Sequence, residues 1–318
     1  MSLSTTEVTR PRRWMAVLQI AVSLAILGAL IAFVDFAELK SRFIAADLAY
    51  MALGLGFGVL QLLVLGLRWR FLNVRLHLAV KVGTATHLAT TGLTHAASQV
   101  LPSSIGGDAV RVVTLKRLGV PLAAALLSVA ADRVAGLLGL LVLVLVALAV
   151  NGIPQGGEDA ALATGIAAAI GAALVLAGPW IAGWPATIAL AQRLGVEPTL
   201  GAVRTLLRDP LAALGLLFLS VVPHALNVAM AWCAAQALGL QIGWDILCLA
   251  VPLALLVMTL PISVAGWGVR EAVLVFALGL GGIASHDALA VSVTWGALLL
   301  ALGVLALGPS LWWLARRR

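Results

Sequence analysis

Apolar residues in this chain come in long unbroken runs, neither spaced every three to four positions as on a surface helix nor alternating as in a strand. Six runs reach the roughly 20 residues a helix needs to cross a hydrocarbon core about 30 Å thick. They are residues 14–34, 48–67, 121–150, 160–184, 211–238 and 288–314, and each is predicted to be a transmembrane helix. Arg68-Trp69-Arg70 is expected to close the second, Asn151-Gly152-Ile153-Pro154 the third and Ala315-Arg316-Arg317-Arg318 the last. Trp69, Trp184, Trp312 and Trp313 are expected at the membrane–water interfaces.

Two further stretches break this pattern. Residues 84–99 carry His87, Thr90, Thr91, Thr94, His95, Ser98 and Gln99, then stop at Pro102 and Gly106-Gly107. Residues 242–280 are oilier, but Pro261, Gly266 and Gly268 interrupt them and Arg270-Glu271 follow at once. Both breaks hold the same motif: LPSSIGGDAVR at 101–111 and LPISVAGWGVR at 260–270 share Leu, Pro, Ser, Gly, Val and Arg at identical spacing.

The distribution of positive charge sets the orientation, because cytoplasmic loops of membrane proteins are rich in Lys and Arg. If each broken stretch is a hairpin that enters and leaves by one face, 16 of the 20 Lys and Arg fall on the cytoplasmic side, with both termini. The outer loops 151–159, 239–245 and 281–287 then hold none; Lys40 and Arg42 sit outside beside Asp35, Glu38 and Asp47. Full crossing by residues 84–101 would move Arg111, Lys116 and Arg117 outside, against the rule. The expected fold is therefore all-α, with six transmembrane helices and two re-entrant hairpins (about 84–117 and 242–280). The halves, 14–150 and 160–314, repeat with inverted topology within a single membrane domain, 1–318. Inverted repeats with broken helices often place a transport site between the halves.

Composition agrees: 62% hydrophobic, 10% charged and a mean hydropathy of +1.11 exclude a water-soluble fold. The net charge of +7 has no soluble domain on which to form a nucleic-acid face, so no nucleic-acid partner is expected. Residues 14–34 lack an A-x-A site and read as an uncleaved first span. Cys233 and Cys248 read as buried small hydrophobes. Residues 185–209 form a cytoplasmic linker, either one amphipathic surface helix carrying Arg193, Arg204 and Arg208 or a solvated loop.

An ionisable residue inside a span is a functional candidate by default. Asp108 and Arg111 follow the Gly106-Gly107 pair, which would open a helix, and a helix start with an arginine fork suits a phosphate. In the bland alternative, Asp108 caps that helix and pairs with Arg111. Arg270 is the counterpart in the second motif. There Trp267 stands where Asp108 stands in the first, and Glu271 either takes over as the acid or simply neutralises Arg270. Asp132 and Arg133 point about 100° apart on their helix and need partners elsewhere. Asp132 with Arg111 and Arg133 with Asp108 are the candidate couplings, as a hairpin-to-span clamp or as direct substrate contacts. The candidate headgroup-binding set is Ser104, Gly106, Gly107, Asp108, Arg111, Asp132, Arg133, Gly266, Arg270 and Glu271. His224 and Asn227 read as a satisfied polar pair beside Pro223. His87 and His95 share a helix face without a third ligand, so no metal is expected, and no nucleotide or protease motif implies a cofactor.

Together GGDAVR, the AADRVAG run around Asp132-Arg133 and LPISVAGWGVREA resemble the membrane domain of the lysylphosphatidylglycerol synthase/flippase-like family over nearly the whole chain. The resemblance implies a lipid-handling role. In bifunctional members a soluble C-terminal aminoacyltransferase makes the lipid that the membrane domain is thought to flip. This chain stops at Arg318 without such a domain, so synthase activity is not carried over and no enzymatic role is expected. The leading expectation is a flippase or scramblase of the cytoplasmic membrane acting on an aminoacyl-phospholipid, glycolipid or polyprenyl-phosphate lipid. The alternative is an accessory or enzymatic component of envelope-lipid synthesis. Expected partners are membrane lipids, a separate lipid-synthesising enzyme and further copies of the chain.

Overall fold

The computed structural model describes residues 28, 42–78, 82–101, 105–151, 184–259 and 266–316. All of the first predicted span except residue 28, nearly all of the fourth, residues 152–159, Ser104 and residues 260–265 of the second motif lie outside them. Among the described residues all regular structure is helical: α1 (Leu48–Arg75), α2 (Thr84–Val100), α3 (Ile105–Arg117), α4 (Leu122–Asn151), α5 (Pro185–Arg193), α6 (Glu197–Arg208), α7 (Pro210–Ala237), α8 (Trp244–Met258), α9 (Val269–Leu280) and α10 (Ser285–Ala315). Four of these, α1, α4, α7 and α10, are long and apolar enough to cross a membrane. Leu48, Leu211, Phe218 and Val304 are all more than 65% exposed, an outward apolar surface that suits hydrocarbon and not water. The chain is a multi-pass membrane protein.

The second predicted span needs correction. Arg68-Trp69-Arg70 does not end it, since α1 continues through Arg75. Nothing in RWRFLNVR breaks a helix, and tertiary contacts bury Arg68, Trp69, Leu72 and Asn73. The turn comes at His77, whose φ of 56° is left-handed, and the Leu78 N–H returns to the Asn73 carbonyl at 2.8 Å. Trp69, expected at an interface, is 1% exposed; Trp184 and Trp312 are exposed.

Residues 185–209 form two helices where one helix or a loop was expected, because Gly195 turns the chain with φ 66° between α5 and α6. Helix α6 buries Thr199, Leu200, Ala202 and Leu206. Leu200 and Ala202 join Trp69, Leu115, Val120 and Ala124 in a satellite core. Asp209 then caps α7, accepting the Ala212 N–H at 3.2 Å and pairing with Arg75 at 3.1 Å. That N–H, assisted by Arg75, holds the Asp209 carboxyl below its usual range.

The main core lies among α7, α8, α9 and α10, with Met230, Ala231, Ala234, Leu247, Val251, Leu274, Val291, Trp295 and Leu298 at its centre. Helix α1 packs along α7, as small residues on both allow. On the side where α1 begins, the Asp47 N–H donates to the Ala237 carbonyl at 2.8 Å, and Arg42 pairs with Asp287 at 2.7 Å.

Each broken stretch is a pair of helices running back along one another, α2 with α3 and α8 with α9. The pairs are inserted crosswise: α2 lies on α10, the last helix of the second half, and α8 lies on α4, the last described helix of the first. The first pair closes tightly at Gly107, where an added Cβ would collide with the Ser98 hydroxyl and stand 2.9 Å from the Thr94 carbonyl. Gly107→Ala is expected to lower stability by about 1–3 kcal/mol through this overpacking. Thermal unfolding in detergent reads the effect, and an unchanged midpoint would mean the two helices are not packed this closely.

Candidate functional site

Asp132 is the centre of the first polar cluster. It stands ten residues into α4, about 15 Å along the helix from its start, and its carboxylate is held from two sides. Arg68 of α1 donates through Nε to Oδ1 at 2.8 Å and through Nη2 to Oδ2 at 3.0 Å, a bidentate fork. Arg111 of α3 donates through Nη1 to Oδ2 at 2.6 Å. The three side chains are 6%, 7% and 2% exposed for Arg68, Arg111 and Asp132. Arg68 Nη1 and Arg111 Nε are buried without a hydrogen-bond partner.

Beside this triad Arg133 Nε donates to Asp108 Oδ2 at 2.8 Å, so two crossed ion pairs tie α3 to α4. This pair is more open, with Arg133 41% and Asp108 19% exposed. Asp108 lies within the first turn of α3 and faces Arg133; it neither caps the helix nor pairs with Arg111. The couplings expected from the sequence, Asp132 with Arg111 and Arg133 with Asp108, are both present. Gly106 abuts the Leu101 side chain and, with Gly107, lets the helix pair close; Ser104 lies outside the described residues.

Trp69 links the triad to a hydrogen-bonded chain. The Arg111 guanidinium lies 5.3 Å from the Trp69 ring centre, and His87 stacks edge-on to that ring at 5.0 Å. Trp69 Nε1 donates to Ser128 Oγ at 3.2 Å, Ser128 donates to Asn73 Oδ1, and Asn73 Nδ2 lies 3.3 Å from His87 Nε2. With Nδ1 protonated and donating to the Gly83 carbonyl at 3.2 Å, the neutral imidazole completes the chain. Each of these groups is thereby fixed in orientation.

The second motif builds a different site. Arg270 is 1% exposed, and its Nε donates to Glu271 Oε1 at 3.0 Å while Nη2 donates to the same oxygen. Glu271 Oε2 accepts the Gly268 N–H at 2.6 Å, and Ser292 Oγ reaches Oε1 at 3.5 Å. The guanidinium lies over Trp267 at 4.5 Å and near Trp295 at 5.8 Å. Gly296 makes the room, since any Cβ there would collide with the guanidinium. Gly266, with φ 83°, accepts the Arg270 N–H at 2.8 Å. Glu271 thus neutralises Arg270 from the same helix turn, whereas Arg111 takes its carboxylate from another helix.

Other candidates go elsewhere. His224 Nε2 donates to the Gly136 carbonyl at 2.9 Å, and Asn227 Nδ2 reaches the Pro223 carbonyl at 3.4 Å. His95 bonds the Leu299 carbonyl on α10 at 3.0 Å, so it and His87 serve different helices. Cys248 is only partly buried. Among the described residues no three His, Cys, Asp or Glu gather to hold a metal ion. The sequence reading missed Arg68, Asn73 and Ser128. The available signal was the spacing of seven that puts Gly54, Gln61 and Arg68 on one face of α1.

Removing one member of a buried ion pair leaves a charge uncompensated, so Glu271→Gln is expected to cost about 3–5 kcal/mol. A double-mutant cycle of Arg111→Gln with Asp132→Asn is expected to return a coupling of about 1–3 kcal/mol. Thermal unfolding of the purified variants measures both; additive effects would show that the Arg111–Asp132 contact has no energetic weight.

No curated protein matches this chain. The family model described as the lysylphosphatidylglycerol synthase TM region matches residues 16–308, nearly the whole length, including both polar clusters. With more than half of its length matched, the chain that carries these clusters belongs to the lysylphosphatidylglycerol synthase transmembrane-region family.

Proposed function

We propose that this protein is a lipid flippase or scramblase that moves a phosphate-bearing lipid across the cytoplasmic membrane, with the Arg68–Asp132–Arg111 cluster receiving the headgroup. The carrying observation is a buried excess of arginine beside a single carboxylate, with two buried guanidinium N–H groups that have no hydrogen-bond partner. Charges at such depth are costly and are retained for function. The family name supports a lipid as the cargo, and both a flippase and an aminoacyl-, glycosyl- or polyprenyl-linked lipid fit it.

The inverted-repeat topology, with two re-entrant hairpins and both termini cytoplasmic, belongs to the same reading. Supporting it, α1 pairs with α7, α2 lies on α10 and α8 lies on α4, the exchange that two halves related by a twofold axis would make. The difference between the arginines suggests unequal roles. Arg111 is bound across an α3–α4 interface, while Arg270 is neutralised within its own helix. On this reading the first hairpin moves and the second serves as its fixed counterpart, and the protein transports without catalysing headgroup synthesis.

Reconstitution in liposomes with headgroup-labelled lipids tests the proposal. Leaflet exchange faster than in protein-free vesicles is expected, and Arg111→Gln is expected to slow it about tenfold or more while Arg42→Gln, at the far end, leaves it unchanged. Exchange no faster than in empty vesicles for every phosphate-bearing lipid tried would overturn it.

A further inference from the structure

Where α1, α4 and α7 meet, four buried polar atoms have no hydrogen-bond partner among the described residues. Arg68 commits Nε and Nη2 to Asp132, and its Nη1 is left over. His224 Nε2 donates to the Gly136 carbonyl, so the neutral ring presents Nδ1 as a bare acceptor. Both groups reach the same residue of α4, since a Cβ at Gly136 would stand 3.4 Å from Arg68 Nη1. The Arg68 charge accordingly acts on the imidazole. Asn227, one turn on from His224, keeps an unpartnered Oδ1, and Gln61 of α1 an unpartnered Oε1. Helix register places Gln61 there. Gly54 meets Cys233 and Gly58 meets Met230, so α1 and α7 run antiparallel, and a step of seven residues along each brings Gln61 level with Leu226 and Asn227. Gln61, Arg68 and Asn227 are each more than nine-tenths buried. Arg70, whose Nε also lacks a partner, points about 200° away around α1 and acts on His87 instead.

The set is one donor, Arg68 Nη1, against three acceptors. An anion would face lone pairs at His224, Asn227 and Gln61, and a cation would sit beside the Arg68 guanidinium. Water both accepts and donates, and buried water typically makes about three bonds to groups left unsatisfied by the chain. We infer that a pair of ordered waters occupies this junction. One accepts from Arg68 Nη1 and donates to His224 Nδ1 and to its neighbour; the neighbour donates to Asn227 Oδ1 and Gln61 Oε1. Every orphan atom is then satisfied. The pair joins α7, from the second half of the chain, to the arginine that grips Asp132. The site stands whether or not the cluster receives a lipid.

Pulsed X-ray radiolysis of the full-length protein in detergent, in water enriched in heavy oxygen, tests this, because radicals formed from a buried water label the side chains beside it. Mass spectrometry reads the label residue by residue. His224 is expected to take up label while Met230, on the same helix and 0% exposed in the dry core, takes up none, although its thioether is readily oxidised. His224 is only part-buried, so Phe218, 67% exposed on α7, controls for radicals arriving through the detergent, and His224 is expected to exceed it. Asn227→Leu removes one acceptor and puts carbon in its place, and is expected to lower the His224 label severalfold. The wild-type comparison stands as a test even if that variant does not fold. His224 as unlabelled as Met230, or labelled no faster than Phe218, overturns the water site. Unchanged His224 labelling in a folded Asn227→Leu protein overturns the shared pair.

Discussion

The first half of this molecule depends on one carboxylate that three helices share. Asp132 has four lone-pair directions, and the arginines of α1 and α3 occupy three of them. The stacking of Arg111 on Trp69 and the chain through Ser128, Asn73 and His87 all take their position from that meeting point. An aspartate at this depth is tolerable only because it is paired. Pairing it twice over sets an excess of arginine around a single carboxylate. The second half solves the same problem differently: Arg270 and Glu271 are neighbours on one helix turn and cancel in place, with Trp267 and Trp295 closing over the guanidinium.

Much of this was legible in the sequence. Runs of apolar residues are a strong signal because a spanning helix must satisfy every backbone group internally. The helices α4, α7 and α10 accordingly begin and end within a few residues of the expected limits. The crossed couplings of Asp132 with Arg111 and Arg133 with Asp108 could be anticipated, since adjacent helical residues diverge and motif residues three apart stay on one face. What escaped was the arginine that looked like a stop signal. Arg68 ends the hydropathy run but not the helix, because its charge is met by a carboxylate 64 residues away and hydropathy counts charges without their partners. Trp69 misled for the same reason, its neighbours suggesting an interface while its indole N–H is satisfied deep inside by Ser128.

The asymmetry between the two motifs is also a matter of distance along the chain. A shared sequence pattern, LP-x-S through to Arg, yields one arginine bound to another helix and one bound to its own. Position 108 against 267 decides it: the aspartate leaves Arg111 alone to serve Arg133, and the tryptophan offers Arg270 only a ring face. The repeat therefore specifies where each arginine stands, and the neighbouring residues specify what it holds.

The crosswise insertion of the helix pairs bears on how the chain is made. His95 on α2 finds its acceptor at the Leu299 carbonyl, 204 residues later, and Thr86 receives the indole N–H of Trp313, 227 residues later. A ribosome delivers α2 long before α10 exists. Through most of synthesis the polar face of α2, with His95 and Gln99, has no final partner. The first helix pair must therefore wait, sheltered by the insertion machinery, by water at the membrane face or by its own α3, until the last helix arrives to complete it.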